Sequence, residues 1–555
     1  MPMRDGVLLN YDLYLPDQEE ACPVILMRTP YTKESLTKEN IYAHMARYTL
    51  HGYAVIVVEC RGTGLSEGVL SANALNEYDD GYDTVEWIAR QPWCDGKVGM
   101  FGLSFFGFTQ LAAASLAPPA LKAICPFMTQ DMEPFGSQMT QTFNYGHICW
   151  IYGQLLEHPQ TFIKDDQERE RLLPILQEHA KKLNDYAMFL PQNQNPAAMV
   201  EGISLLKDYV DLVNGMEDRA FWDSLRHPTD HRAIRTPMFH CTGWFDVTLN
   251  TTIHNWNAML AECSEDVIRQ SRLLIGPWCH GGEFRTAFGE YDFGWCNDGE
   301  GLDINGQMLA WYDHHIKGLS NCVDSWPVVR YFVMGANEWR ESSSWPPAET
   351  ETKPYYLHAH GVLSTTAPND ETQADHFAYD PADPPPAYAP GKNGGFEQIP
   401  DYAPLTSRKD GVCYETPVLE EDLTVAGVMQ MKLYAVTDAK DTDFTCRVVD
   451  VYPDGREFLL GQGLIRAKWR KGFFQYDPIE PGKAETYTIE VGSIGCCVRK
   501  GHRLKVHLSS ALFPLYDRNL NTGESCATGT EWNIAHQTIL HDPAHPSCLL
   551  LPVIP

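Results

Sequence analysis

No Cys-x-x-Cys pair occurs anywhere in the 555 residues, although the chain holds 16 cysteines. Cys496 and Cys497 are the one close pair, and neighbours in sequence rarely bridge. A disulfide framework is therefore missing, which points to reduced, mostly buried thiols. The short paired Cys or His spacing of a structural zinc site is missing too. His314 and His315 are adjacent, so a helix cannot turn both toward one metal. No metal and no other cofactor is expected. Basic charge is scarce: 43 Lys+Arg stand against 73 Asp+Glu, a net −30. Such a chain repels phosphate backbones and anionic lipid, so neither nucleic acid nor a membrane is an expected partner. Met1-Pro2-Met3-Arg4-Asp5-Gly6 carries no apolar segment of the signal-peptide kind, and the reading is cytoplasmic. The long uncharged stretch from Gly99 to Leu121 is broken by Pro118-Pro119 and diluted by Ser104, Thr109, Gln110 and Ser115. A buried strand–turn–helix accounts for it better than a membrane span.

What is present is ordinary globular composition, 44% hydrophobic and 21% charged, over a length that suggests roughly three or four domains. Val24 to Met27 and Tyr53 to Val58 are continuous apolar runs of the kind central parallel strands show. Tyr78, Tyr82, Val85 and Ile88 recur at helical spacing, Val98 to Leu103 reads as a strand and Phe105 to Leu116 as a helix. This alternation predicts an α/β catalytic domain over 1–126 and 230–327. Strand signals vanish over 127–229, where Met, Gln, Leu and aromatic residues recur at helical spacing, so a helical cap is expected there. They return at Pro237 to Cys241 and at Arg272 to Gly276. From 328 to 555, short runs separated by Gly, Pro and Asp, beginning with Val328 to Val333, predict an all-β sandwich or jelly roll.

Three separated motifs fit one catalytic machine. Gly102-Leu103-Ser104-Phe105-Phe106-Gly107 lies between a predicted strand and a predicted helix. A serine at so sharp a turn has its hydroxyl exposed at the tip of the sheet, the nucleophile elbow, usually G-x-S-x-G. Here the second glycine comes one place later. Gly243-Trp244-Phe245-Asp246 and Gly276-Pro277-Trp278-Cys279-His280 each put a polar residue just past a strand end, where open α/β sheets build their sites. The order Ser104, Asp246, His280 is that of α/β-hydrolases. In these roles Ser104 is the nucleophile. His280 is the base that takes and returns its proton, and Asp246 fixes the imidazole tautomer and stabilises its charged form.

Together with Arg28-Thr29-Pro30-Tyr31, Arg61-Gly62-Thr63-Gly64-Leu65-Ser66-Glu67-Gly68, Trp311-Tyr312-Asp313-His314 and Val451-Tyr452-Pro453-Asp454-Gly455, these motifs resemble the cocaine esterase and X-prolyl dipeptidyl peptidase family of α/β-hydrolases. The resemblance runs over nearly the whole chain and is weakest in the middle. It implies an α/β-hydrolase domain with an inserted helical cap and a C-terminal jelly roll. It also implies an oxyanion hole made from the Tyr31 hydroxyl and the backbone N–H of Phe105. The Arg61–Gly68 segment is spaced G-x-G-x-x-x-G, one residue too long for a dinucleotide fingerprint, and reads as a structural loop.

The expected activity is that of a serine carboxylesterase on a small-molecule ester. The alternatives are an acylase or X-prolyl peptidase acting on amides, or a non-catalytic protein whose jelly roll binds carbohydrate. The resemblance implies that amino-acid ester hydrolases of the family hold the substrate ammonium with carboxylates just after the aspartate; Val247, Thr248 and Leu249 carry no charge, which argues against an amino-acid ester substrate. Phe143 and Trp150 are candidate substrate contacts, with Tyr145 and Tyr152 beside them; aromatics at that spacing are more often the core of a cap. The sequence is compatible with a homo-oligomer.

Overall fold

A computed structural model of the chain describes all residues except 32–35, 37–40, 131–144, 228–229, 282, 289–290, 370–373, 389–400 and 473, and the side chains of 41–45. The first sheet is built from β1 (Tyr11–Tyr14), β2 (Cys22–Thr29), β3 (Ala54–Glu59), β4 (Cys94–Leu103), β5 (Leu121–Phe127), β6 (Phe239–Phe245), β7 (Arg272–Cys279), β8 (Val329–Val333) and β9 (Glu338–Ser342). Its spatial order is β1-β3-β2-β4-β5-β6-β7-β8-β9. The two edge strands are antiparallel and the rest run parallel.

Every residue of β2 and β3 is buried, because helices cover both faces. Alternation still decides which face each residue serves. Val24, Leu26, Ala54, Ile56 and Val58 share one core with Phe108 and Leu111 of α2 (Phe105–Ser115), which packs on β2 and on α1 (Asn76–Ala89). Ile25, Met27, Val55 and Val57 form the other core with Trp311 and Tyr312, borne by a later helix, Ile304–His315. Arg28, wholly buried at the end of β2, pairs with Glu77 of α1 at 2.9 Å and donates to its carbonyl at 2.9 Å. Burial pushes the Glu77 carboxyl up and the Arg28 charge opposes this.

Between β5 and β6 the cap is built by α3 (Gly146–Glu157), α4 (Asp166–Ala180), α5 (Ser204–Gly215) and short turns. Its interior is made of Ile148, Ile151, Tyr152 and Leu155 against Leu172, Leu176, Leu205, Leu206 and Tyr209. The Asp165 carboxylate caps α4 by accepting the Glu168 N–H at 2.8 Å.

The C-terminal jelly-roll domain is an eleven-stranded sheet. Its spine is the antiparallel pair Leu423–Thr437 and Glu485–Val498, with a register shift at Met429/Gln430 that bends the pair. Val328 to Val333, where the sequence reading places the start of this domain, pairs with the first sheet. β8 pairs in parallel with β7 and turns back through β9, so both belong to the catalytic sheet. A short apolar run carries no mark of the sheet it joins; the neighbouring strand decides. The first strand of the jelly roll is Glu351–His358.

The two sheets are joined end to end. Met334 donates to Gly495 O at 3.0 Å, and Cys497 donates to Met334 O at 2.7 Å. Trp244 of β6 is buried in this seam, its Nε1–H donating to Phe332 O at 2.7 Å. Every cysteine is unbridged, and all but Cys149, Cys263, Cys296, Cys322 and Cys413 are buried. Among the described residues no helix is long and apolar enough to cross a membrane.

Gly495 tests the seam. A Cβ there would stand 2.7 Å from Trp244 Cζ2 and 3.0 Å from Phe332 O. Gly495→Ala is expected to destabilise the chain by about 1–3 kcal/mol, the usual cost of overpacking, read as a lowered Tm in calorimetry.

Candidate active site

The parallel strands β2, β4, β6 and β7 all end at one edge of the sheet, and the residues singled out in sequence stand just beyond those ends. Ser104 lies between β4 and α2 with φ 59° and ψ −128°, a backbone that side chains rarely adopt. The strain is held by hydrogen bonds. Ser104 N–H is shared between Phe127 O at 3.1 Å and Met128 O at 3.0 Å. Ser104 O accepts from Thr129 Oγ1 at 3.1 Å and from the Gly107 and Phe108 amides at 3.0 Å.

The shifted second glycine has a steric reason. A Cβ on Gly107 would lie 2.8 Å from both Phe127 O and Thr129 Cβ. Gly102, at φ +146°, would bring a Cβ to 2.2 Å from the Phe106 ring. Phe106 fits the place usually held by glycine because Gly102 leaves room for its ring, which lies edge-on to Tyr31 at 5.8 Å.

Asp246 and His280 follow Phe245 and Cys279, which are register partners on β6 and β7. One step beyond that pair the two side chains meet, His280 Nδ1 lying 3.1 Å from Asp246 Oδ1. The Asp246 side chain is fully buried, whereas that of His280 keeps 14% exposure. Asp246 Oδ1 also accepts the N–H and the hydroxyl of Thr248, both at 2.6 Å. Asp-x-Thr is the sequence signal of this Asx turn. Cys279, beside His280, is no rival nucleophile: burial, with the Asp246 charge adding, pushes its thiol up to about 12. His315 lies against the Trp311 ring at 4.1 Å, half-buried, and burial lowers its pKa to about 3, as suits a histidine packed on an aromatic ring.

Serine and acid are tied together by backbone. Met128 donates to Cys241 O of β6 at 2.7 Å. Thr129 N–H donates to Thr252 Oγ1 at 3.1 Å, and Thr129 O accepts from Thr251 and Thr252 hydroxyls at 3.0 and 3.1 Å. Those threonines lie on α6 (Leu249–Glu262), which begins three residues after Asp246. No sequence signal marks Thr129, Thr251 or Thr252, since threonines are common in loops and helices alike.

The remaining candidates divide. Phe105 opens α2, so its amide is among the first four N–H groups that a helix leaves without a carbonyl of its own. Its ring stacks on Trp150 of α3 at 5.7 Å and 11°. Tyr31 is half-buried beyond β2 with its amide on Thr29 Oγ1 at 3.1 Å. Tyr145 and Tyr152 are cap core, their hydroxyls donating to Leu183 O and Ala197 O. Phe143 lies outside the described residues. The Arg61–Gly68 loop wraps the Glu59 carboxylate, which accepts from Leu65 N–H at 2.7 Å and Asn10 Nδ2 at 2.9 Å.

Known proteins share this architecture. Residues 5–282 match the family model of the X-Pro dipeptidyl-peptidase (S15 family), and residues 321–550 that of the X-Pro dipeptidyl-peptidase C-terminal non-catalytic domain. The chain is 32% identical to the cocaine esterase of Rhodococcus sp. (strain MB1 Bresler), over 100% of its own length and 97% of the relative's. It is 26% identical to a putative serine esterase of Mycobacterium bovis, covering 92% of this chain and 89% of the relative. The solved structure of an α-amino acid ester hydrolase superposes with a TM-score of 0.83 at 24% identity, over 100% of this chain and 95% of that one, a likeness of fold.

The elbow geometry sets a stability contrast between two glycines. Gly107→Ala is expected to cost about 1–3 kcal/mol through its clash with Phe127 and Thr129. Gly153→Ala, on α3 with nothing within 4 Å, is expected to gain about 0.4–1 kcal/mol. Chemical denaturation of the two variants reads both signs.

Proposed function

The chain belongs to the X-Pro dipeptidyl-peptidase (S15) family and is a serine ester hydrolase, and on that premise we propose that Ser104, His280 and Asp246 carry its reaction. The observation that supports this most directly is the buried Asp246 carboxylate 3.1 Å from His280 Nδ1, on the same sheet edge as the strained Ser104. With Nδ1–H donated to Asp246, Nε2 is the basic nitrogen. It takes the Ser104 proton as Oγ attacks the ester carbonyl carbon. The tetrahedral intermediate carries its negative charge on the former carbonyl oxygen, which the Phe105 N–H and the Tyr31 hydroxyl stabilise. The N-terminal end of α2 adds a favourable dipole. Collapse expels the alcohol, which leaves with the proton from His280. Water, deprotonated by His280, then attacks the acyl-enzyme, releases the acid and returns the proton to Ser104.

The substrate is a small-molecule ester whose apolar acyl group lies along the Trp150–Phe105 stack. That indole rests on the residue whose amide faces the oxyanion, so a flat acyl group there is close to the reacting carbon. Unbridged thiols support a reducing, cytoplasmic setting. The net charge of −30 supports work without nucleic-acid or membrane partners.

Short-chain p-nitrophenyl esters test the assignment. Ser104→Ala is expected to lower kcat by about 10⁴-fold or more, with a fluorophosphonate label mapping to Ser104 in the wild type. Tyr31→Phe is expected to lower kcat about 10²–10³-fold. Full activity of Ser104→Ala would end the assignment. Faster turnover of X-Pro p-nitroanilides than of any ester would move the substrate class to amides.

Thr248→Val removes one donor from Asp246 and keeps the backbone one. The less-bonded carboxylate stabilises the imidazolium more strongly. It is also less firmly held, so kcat/KM at neutral pH is expected to fall roughly tenfold or less, the worth of one hydrogen bond.

A further inference from the structure

We infer that His158 is a positioning residue for Tyr31, transmitting the seating of the cap to the oxyanion donor; the inference rests on the role proposed for Tyr31 above. His158 caps the C-terminus of α3 and is completely buried. Its Nε2 lies 2.8 Å from Pro30 O, and its Nδ1 lies 3.3 Å from the Gly64 amide nitrogen. A carbonyl can only accept and an amide can only donate. Nε2 therefore carries the hydrogen and donates to Pro30, while Nδ1 accepts from Gly64. The ring is neutral and in one tautomer.

Full engagement of both nitrogens by backbone is not what burial alone imposes on a histidine in this chain. His240 and His507 are equally buried, and neither ring nitrogen of either has a hydrogen-bond partner among the described residues.

The two backbone groups belong to different loops at the site edge. Gly64 is the fixed one. It sits at φ +52° against the Glu59 carboxylate, where a Cβ would come within 2.2 Å of Cδ. The Glu59 backbone carbonyl holds the next turn by accepting from Ser66 Oγ at 2.7 Å. Pro30 is the residue before Tyr31. His158 thus sets the distance from a rigid loop to the peptide that carries the tyrosine, while the Phe106 ring sets the other side of the phenol. The lever comes from the cap, so cap and oxyanion donor move as one.

Two substitutions separate the two bonds. Glutamine places an N–H where Nε2 stands and keeps Pro30; asparagine places an oxygen where Nδ1 stands and keeps Gly64. On p-nitrophenyl esters, His158→Asn is expected to lower kcat about 10- to 100-fold, the usual effect of a small misplacement, with KM within about twofold. His158→Gln is expected to retain most of kcat. In a Tyr31→Phe background His158→Asn is expected to cost less than about twofold more, because the group it positions is gone. Wild-type kcat in His158→Asn, equal losses in both variants, or a loss that multiplies with Tyr31→Phe would each overturn the inference. If Tyr31→Phe itself leaves kcat unchanged, the oxyanion assignment fails and this one with it. A loss in Tyr31→Phe beside an intact His158→Asn sinks this one alone. Should asparagine impair folding by circular dichroism, the glutamine variant decides: a loss of more than about tenfold in kcat in the folded protein overturns the inference.

Discussion

The shared hydrogen bond from Ser104 N–H to the Phe127 and Met128 carbonyls is the contact on which the site depends. A side chain held at φ 59° costs about 1–3 kcal/mol and persists only where its surroundings over-determine it. The end of β5 supplies that over-determination. It receives the Ser104 amide, returns the Thr129 hydroxyl to the Ser104 carbonyl and fastens itself to β6 through Met128. It is fixed again from the side by Thr251 and Thr252, on the helix that follows Asp246. Nucleophile and acid are thus positioned by one short stretch, 127–129, that takes no part in the chemistry.

Much of this was legible because burial on both faces leaves a plain mark. β2 and β3 read as unbroken apolar runs, and Ser104, Asp246 and His280 could be placed by what ends each strand. The register pair Phe245–Cys279, which sets the two side chains opposite each other, could not be read, since pairing is long-range. The pairing of β8 with β7 could not be read for the same reason. Tyr31 was found by resemblance; its residues alone suggested packing. His158 left no trace at all, because a buried histidine bonded only to backbone has no partner residue type to look for.

The cap and the jelly roll meet through charge. Arg466 is forked against Asp443 at 2.9 and 3.0 Å and reaches Asp517 at 3.2 Å, all nearly inaccessible. Burial pushes Asp443 up to about 6, against the pull of Arg466. Lys468 leaves this cluster to meet Glu217 of the cap at 2.8 Å, and Arg518 donates to Met188 O at 2.7 Å. Ion pairs withdrawn from water add little net stability, but removing one partner is expensive. An arrangement of this kind penalises a displaced cap more than it rewards a seated one. The surface that carries Trp150 and His158 is thereby kept in register with the sheet.

Trp244 stands two residues before Asp246, and its indole is closed in by Phe332 and Gly495. On the ribosome these parts emerge in order, the N-terminal half first. The nascent chain holds Ser104, Asp246 and His280 while the wall behind Asp246 has yet to be translated. Phe332 and Trp345 can close on this indole first, but its last wall, the strand bearing Gly495, comes late in the chain. The residues of the site and the last wall behind it are thus separated along the chain by most of the jelly roll, so the C-terminal domain completes packing for chemistry encoded far upstream of it.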